Sequence, residues 1–154
     1  MIRNGFTLVE MMVVLLVMAL AGGAVVMVVG GGGASVGQDA ARLAGRIAAA
    51  RETAITGARP VSLWVRPSGY GFDLYRGGQW QPQPRGPLAP VDWQDGTAVA
   101  TSGIAGAGAR LGGGEARLTF DNLGLPEGPM TIELRRGERA ARVDIAANGD
   151  VAVK

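Results

Sequence analysis

The sequence predicts an α+β protein, a long N-terminal helix, first membrane-spanning and then amphipathic, packed on antiparallel β-sheets. Three observations carry this. Residues 6–29 are apolar except for one carboxylate, and the 19 residues from Met11 to Val29 hold no charge. Residues 35–57 repeat apolar side chains at three- and four-residue steps. After Pro60 the period changes to two, in short runs separated by turn residues and without intervening helices, which excludes βαβ units.

The chain begins with a short basic head, Met1-Ile2-Arg3-Asn4-Gly5. The 24 residues that follow make about 36 Å of helix, enough to cross a hydrocarbon core of about 30 Å. A secretory signal places its small-residue cleavage site after the apolar core, whereas Gly5 stands before it. Cleavage after Gly5 leaves the apolar segment on the mature chain with a new amine at Phe6. Glu10 is four residues further on, on the same helix face. A carboxylate at that depth costs about 2.5–3.5 kcal/mol by insertion scales, so it needs a partner, either this amine or that of a neighbouring copy. Arg3, the one basic residue before the span, favours a cytoplasmic N-terminus and a domain across the membrane.

Gly30 to Gly33 end the span. Four glycines inside a helix cost about 2–4 kcal/mol relative to alanine, which predicts a joint over residues 30–34. A globular domain over residues 35–154 follows. Its helix carries the stripe Ala40, Leu43, Ile47, Ala50 and Ala54, with Gly57 as C-cap and Pro60 as stop. Val61, Leu63 and Val65 alternate and are expected to face Tyr70, Phe72 and Leu74 across a Pro67-Ser68-Gly69 turn. A second turn, Arg76-Gly77-Gly78-Gln79, precedes Trp80. Residues 81–95 read as a loop rich in Pro, Gln and Gly, with Leu88, Val91 and Trp93 tucking onto the sheet. A short strand at 97–101 leads into the glycine- and alanine-rich run 103–114, expected to be flexible. Strands at 116–120, 130–134, 141–145 and 151–153 complete the chain, with an arginine-rich hairpin tip at 135–139 and an Asn148-Gly149 turn.

The composition excludes most chemistry. With no Cys and no His there is no disulfide, no thiolate metal site and no imidazole base. Ser35, Ser62, Ser68 and Ser102 have nothing to activate them. Asp92 and Asp95 are two carboxylates in a loop, short of the six to eight oxygens that Ca²⁺ takes. No metal, cofactor or enzymatic activity is expected. A net charge of +2, or +1 once Arg3 leaves with the head, is too near neutral to imply a nucleic-acid partner by itself, and none is expected. The cluster Arg135, Arg136, Arg139 and Arg142 is the one candidate phosphate grip, although Glu133, Glu138 and Asp144 interleave with it.

Arg3-Asn4-Gly5 followed by Phe6-Thr7-Leu8-Val9-Glu10 resembles the leader junction of type IV pilins and of the pseudopilins of type II secretion. The later patterns resemble the GspH/FimT group of minor subunits: the helix of residues 42–57, Gly69-Tyr70-Gly71-Phe72 with Trp80, and Phe120-Asp121-Asn122-Leu123-Gly124 through Asn148-Gly149-Asp150-Val151. The chain lacks the proline of a Phe-x-Pro-x-Gly pattern common in that group. The resemblance implies a pilin-like fold, a prepilin peptidase that cuts between Gly5 and Phe6 and methylates Phe6, and a role for Glu10 in filament assembly. It further implies a single-pass inner-membrane anchor with a periplasmic domain, assembled into a pseudopilus at or near its tip. The partners it implies are major and minor pseudopilins, an inner-membrane assembly platform, the lipid bilayer and exported cargo. The alternative it carries is a FimT-like minor pilin that binds DNA during uptake through the four arginines. The Trp80 and proline-rich loop pattern favours secretion.

Overall fold

The computed structural model describes residues 9–18, 35–103 and 114–154. They fall into two units divided between residues 33 and 34, and each is taken by itself. In the first, residues 9–18 form helix α1. The expected leader, the cleavage junction at Gly5 and Phe6, the joint at 30–34 and most of the run 103–114 lie outside the described residues. Among the described residues no helix is long and apolar enough to cross a membrane.

In the second unit, helix α2 spans Val36–Thr56. Its start is set by a capping box: the Ser35 hydroxyl accepts from the Gln38 amide, and the Gln38 side chain accepts from the Ser35 amide. Gly57 caps the other end in a right-handed conformation, and the left-handed residue is Ala58, at φ 45°. All five residues of the expected stripe are fully buried. Val36 and Asp39 join them, extending the buried face by one turn towards the N-terminus.

Among the described residues nine strands follow, all pairing antiparallel: β1 Val61–Val65, β2 Gly69–Arg76, β3 Gln79–Pro82, β4 Val91–Asp92, β5 Ala98–Ser102, β6 Ala116–Phe120, β7 Met130–Arg136, β8 Arg139–Ile145 and β9 Val151–Val153. The first sheet runs β3-β2-β1-β6, with β4 beside the other end of β2; the second runs β5-β7-β8-β9. Val61 pairs with Leu74, Leu63 with Phe72 and Val65 with Tyr70, the register expected from the alternation. β4, a two-residue strand inside the expected loop, escapes sequence reading because two residues carry no periodicity. Its loop is ordered from inside: Leu88 is buried, Trp93 donates its indole N–H to the Arg66 carbonyl at 2.9 Å, and its ring stacks on Tyr70.

α2 and the inward faces of both sheets share one hydrophobic core. Burying a Leu or Ile side chain contributes about 1.5–3 kcal/mol, so Leu43, Ile47, Leu63, Leu118, Ile132 and Leu134 alone supply a large fraction of the cohesion.

Arg51 fixes the C-terminal half of the helix to two turns. Its Nε donates to the Gly124 carbonyl at 3.0 Å and its Nη2 to the Asn148 carbonyl at 3.2 Å. The approach requires glycine in both turns. Gly124 and Gly149 stand at φ 76° and 83°, and a β-carbon on Gly149 would meet Arg51 Nε at 2.8 Å and the Gly124 oxygen at 2.9 Å. We therefore expect Gly149→Ala to destabilise the domain by about 1–3 kcal/mol, read as a lower urea midpoint, while Gly77→Ala, in open space at the β2–β3 turn, costs only its local backbone strain.

Candidate functional site

The side chains of α1 are apolar except for Glu10. Val9 and every side chain from Met11 to Met18 are exposed, from 42% at Val14 to 68% at Val9 and Met18. Glu10 lies in its first described turn and is exposed as well. Eight or more large apolar side chains around a full helical circumference are stable only inside a lipid phase or a bundle of other helices. Gly5 and Phe6, which sequence reading joins to Glu10, are outside the described residues, so their geometry relative to the carboxylate is not part of the structure.

The four arginines at the end of the second sheet do not form one group. Strand alternation sends Arg136 to the face that carries Met130, Ile132 and Leu134, and Arg135 to the opposite face beside Glu133. Arg136 Nη2 meets Asp39 Oδ2 at 2.5 Å, Nη1 donates to Gln94 Oε1 at 3.0 Å, and Nε donates to the Thr97 hydroxyl at 3.0 Å. It ties the first turn of α2 to the β4–β5 loop and the end of β7. Arg135 pairs with Glu133 at 3.0 Å and Arg142 with Asp144 at 3.1 Å, both on the solvent side. Arg139 is exposed at the start of β8. The expected hairpin tip is thus only Gly137-Glu138, and one of its arginines is structural. The missed partner was Asp39, a carboxylate one turn into a helix, where the helix dipole already favours it.

The outer face of the first sheet carries a second polar ladder. Arg117 Nη1 donates to Asp73 at 2.9 Å and its Nε to Glu115 at 2.5 Å, while Arg66 also pairs with Glu115 and stacks over the Trp64 ring, 4.5 Å from its centroid. Partial burial pushes the Glu115 carboxyl up, but hydrogen bonds and charge from Arg66 and Arg117 outweigh it and hold the group below its ordinary value of 4.5. Asp144 is also lowered, chiefly by hydrogen bonds from Lys154 and Thr131. Asp92 and Asp95 are both exposed, and among the described residues no group of three or more acidic side chains could hold a metal ion.

Two outcomes follow from these contacts. Arg136→Ala leaves the buried Asp39 without its nearest cation and lowers unfolding free energy by about 1–3 kcal/mol, whereas Arg135→Ala, at an exposed pair, stays within about 0.5 kcal/mol, both by urea denaturation. Because the folded Glu115 carboxyl is lowered, the stability it contributes is complete above about pH 4.5 and is lost as the pH falls through the folded value. Glu115→Gln accordingly flattens the acid side of the stability–pH curve, measured by urea midpoints from pH 7 to pH 3.

Residues 39–149 match the family model described as type II transport protein GspH, and residues 1–26 match the prokaryotic N-terminal methylation motif. No curated protein matches the chain in sequence. Among solved structures, the minor pseudopilin EpsH from the type 2 secretion system of Vibrio cholerae is similar with a TM-score of 0.63 at 13% identity, over 79% of this chain and 97% of that one. The type IV minor pilin FimU of Pseudomonas aeruginosa is similar with a TM-score of 0.56 at 15% identity, over 77% of this chain and 87% of that one. At these identities the likeness is one of fold: a helix packed on antiparallel sheets, as here. The GspH match covers well over half of the sequence, and the chain belongs to the GspH family of type II transport proteins.

Proposed function

We propose that this protein is a structural minor pseudopilin of a type II secretion system, working at or near the tip of the pseudopilus, and not an enzyme. The observation that carries the reading is the pairing of two features in one chain: a methylation-motif start whose described helix exposes a large apolar side chain at every position but Glu10, and a GspH domain with a complete core of its own. The domain has no unfilled need for α1, so the apolar helix is available to lipid before assembly and to other helices after it.

In this reading a prepilin peptidase cuts between Gly5 and Phe6 and methylates the new Phe6 amine. The segment 6–29 then holds the subunit in the inner membrane with the domain in the periplasm. Glu10 guides docking into the filament, since a carboxylate among apolar helices is stable only when it meets a cation, and the amine of a neighbouring subunit supplies one. The assembly platform, the other pseudopilins and exported cargo are the remaining partners. The arginine placement gives DNA uptake no matching support, because Arg136 is engaged by Asp39 and Arg135 and Arg142 by acidic neighbours.

Intact mass of the protein extracted from native membranes tests the processing. The expected product lacks Met1 to Gly5 and carries one added methyl group, and full-length mass in the native host would refute the scheme. In the same host Glu10→Ala is expected to insert and fold normally, by protease resistance of the domain, yet to reach sheared pseudopili at a level reduced at least severalfold.

A further inference from the structure

The edges of the two sheets differ. On the first sheet, Pro82 ends β3, and the outer side of β6 is taken up by the turn that follows it: Phe120 bridges Pro126, and the Glu127 amide donates to the Thr119 carbonyl at 3.0 Å. Both devices close a sheet against further strands. The second sheet has neither. Among the described residues its edge strands β5 and β9 pair only with β7 and β8. β5 reads Ala-Val-Ala-Thr-Ser and β9 reads Val-Ala-Val, with no charge and no proline, and all of these residues are exposed except Val99 and Val151, which are half-buried. β9 is short, but its ladder runs on through Lys154, whose amide and carbonyl exchange hydrogen bonds with those of Arg142 at 2.8 Å. An uncharged, unblunted edge is a template for another strand.

The two bare edges also match each other. β5, β7, β8 and β9 are an even number of antiparallel strands, so β5 and β9 run in opposite directions. Two copies of the chain that point the same way can therefore lay β9 of one beside β5 of the other as an antiparallel pair, with both core faces on one side. The side chains agree with that arrangement. Val151 and Val153 stand opposite the buried Ile145 and Val143, and Val99 and Thr101 stand opposite the buried Leu134 and Ile132, so all four lie on the core face. Ala152, Ala98, Ala100 and Ser102 lie on the outer face. Setting Ala152 against Ala100 puts Val153 against Val99 and Val151 against Thr101: β-branched pairs on the core side and two alanines outside.

We propose that β9 of one copy adds to β5 of a second copy, continuing the second sheet from one molecule into the next. The occupant is a second copy because this chain carries both halves of the matched pair, and neither half offers a charge that would select a foreign segment. An antiparallel β5–β5 or β9–β9 pair would turn one copy upside down, whereas β9–β5 keeps every copy in one direction, as in a polar fibre. The contact is heterologous and leaves one bare edge at each end for a further copy. In that like orientation of the copies it rests on the pseudopilin reading.

The chain has no cysteine, so introduced thiols report this contact alone. Residues directly opposed in an antiparallel pair have Cα atoms about 4.5–5.5 Å apart, within reach of a disulfide. The full chain carrying both Ala100→Cys and Ala152→Cys, oxidised in membranes of the native host, is expected to run as disulfide-linked dimers and longer ladders on non-reducing gels. Either substitution alone is expected to give at least severalfold less. So is Thr101→Cys combined with Ala152→Cys, which places the two thiols on opposite faces of the sheet. Equal yields from these controls, dimers from Ala100→Cys alone at the level of the double variant, or no cross-links at all overturn the proposal. Intact mass of the same samples keeps the two readings apart. A processed chain without cross-links refutes the pairing and leaves the pseudopilin reading standing, whereas cross-links in a chain that retains Met1 to Gly5 uphold the pairing and refute the processing scheme.

Discussion

The second unit depends on one helix filling the space between two sheets. Ala40 on one side and Ala50 and Ala54 on the other flank Leu43 and Ile47 along the buried stripe of α2, and all five are fully buried. Small side chains let the sheets approach the helix axis, and the two larger ones fill the spaces left between strands. Neither sheet has a core without the helix, because Val61, Leu63, Phe72 and Leu118 on one side and Ile132, Leu134 and Val143 on the other belong to the same cluster. The short strands and many turns of the sheets are tolerable because this packing, and not strand length, supplies their cohesion.

Polar contacts then fix what apolar packing leaves loose. Near the start of α2, Asp39 reaches Arg136 on β7; near its end, Arg51 reaches the carbonyls of Gly124 and Asn148; between them, Arg46 donates to the Pro87 carbonyl at 2.9 Å and to that of Ala89, pinning the proline-rich loop. Hydrophobic contact is non-directional and sets the layers, whereas each guanidinium forks to fixed acceptors and sets the register between them.

Much of this was legible in the residues. The stripe of α2, the β1–β2 register, the Gly-Gly turn before Trp80 and the positions of the strands in the C-terminal half follow from periods of 3.6 and 2 and from turn chemistry. Motif reading also led to the family, since Gly5 to Glu10 and Phe120 to Val151 are local patterns. What stayed hidden depended on distant pairing. Asp39 looks like an ordinary first-turn acid until Arg136, 97 positions later, lands beside it. Trp93 reads as a loop residue tucking onto the sheet, and nothing local shows that its indole N–H reaches the Arg66 carbonyl. Four arginines within eight positions look like one patch, but alternation along a strand places neighbours on opposite faces.

The polar ties at both ends of α2 have a mechanical consequence. A tensile load entering at Ser35 along the helix axis is taken up by β7 through Asp39 and by the 121–125 and 146–150 turns through Arg51. The ties lie about three turns apart, so they share the load in shear, which requires several bonds to fail together, instead of peeling the helix away one contact at a time.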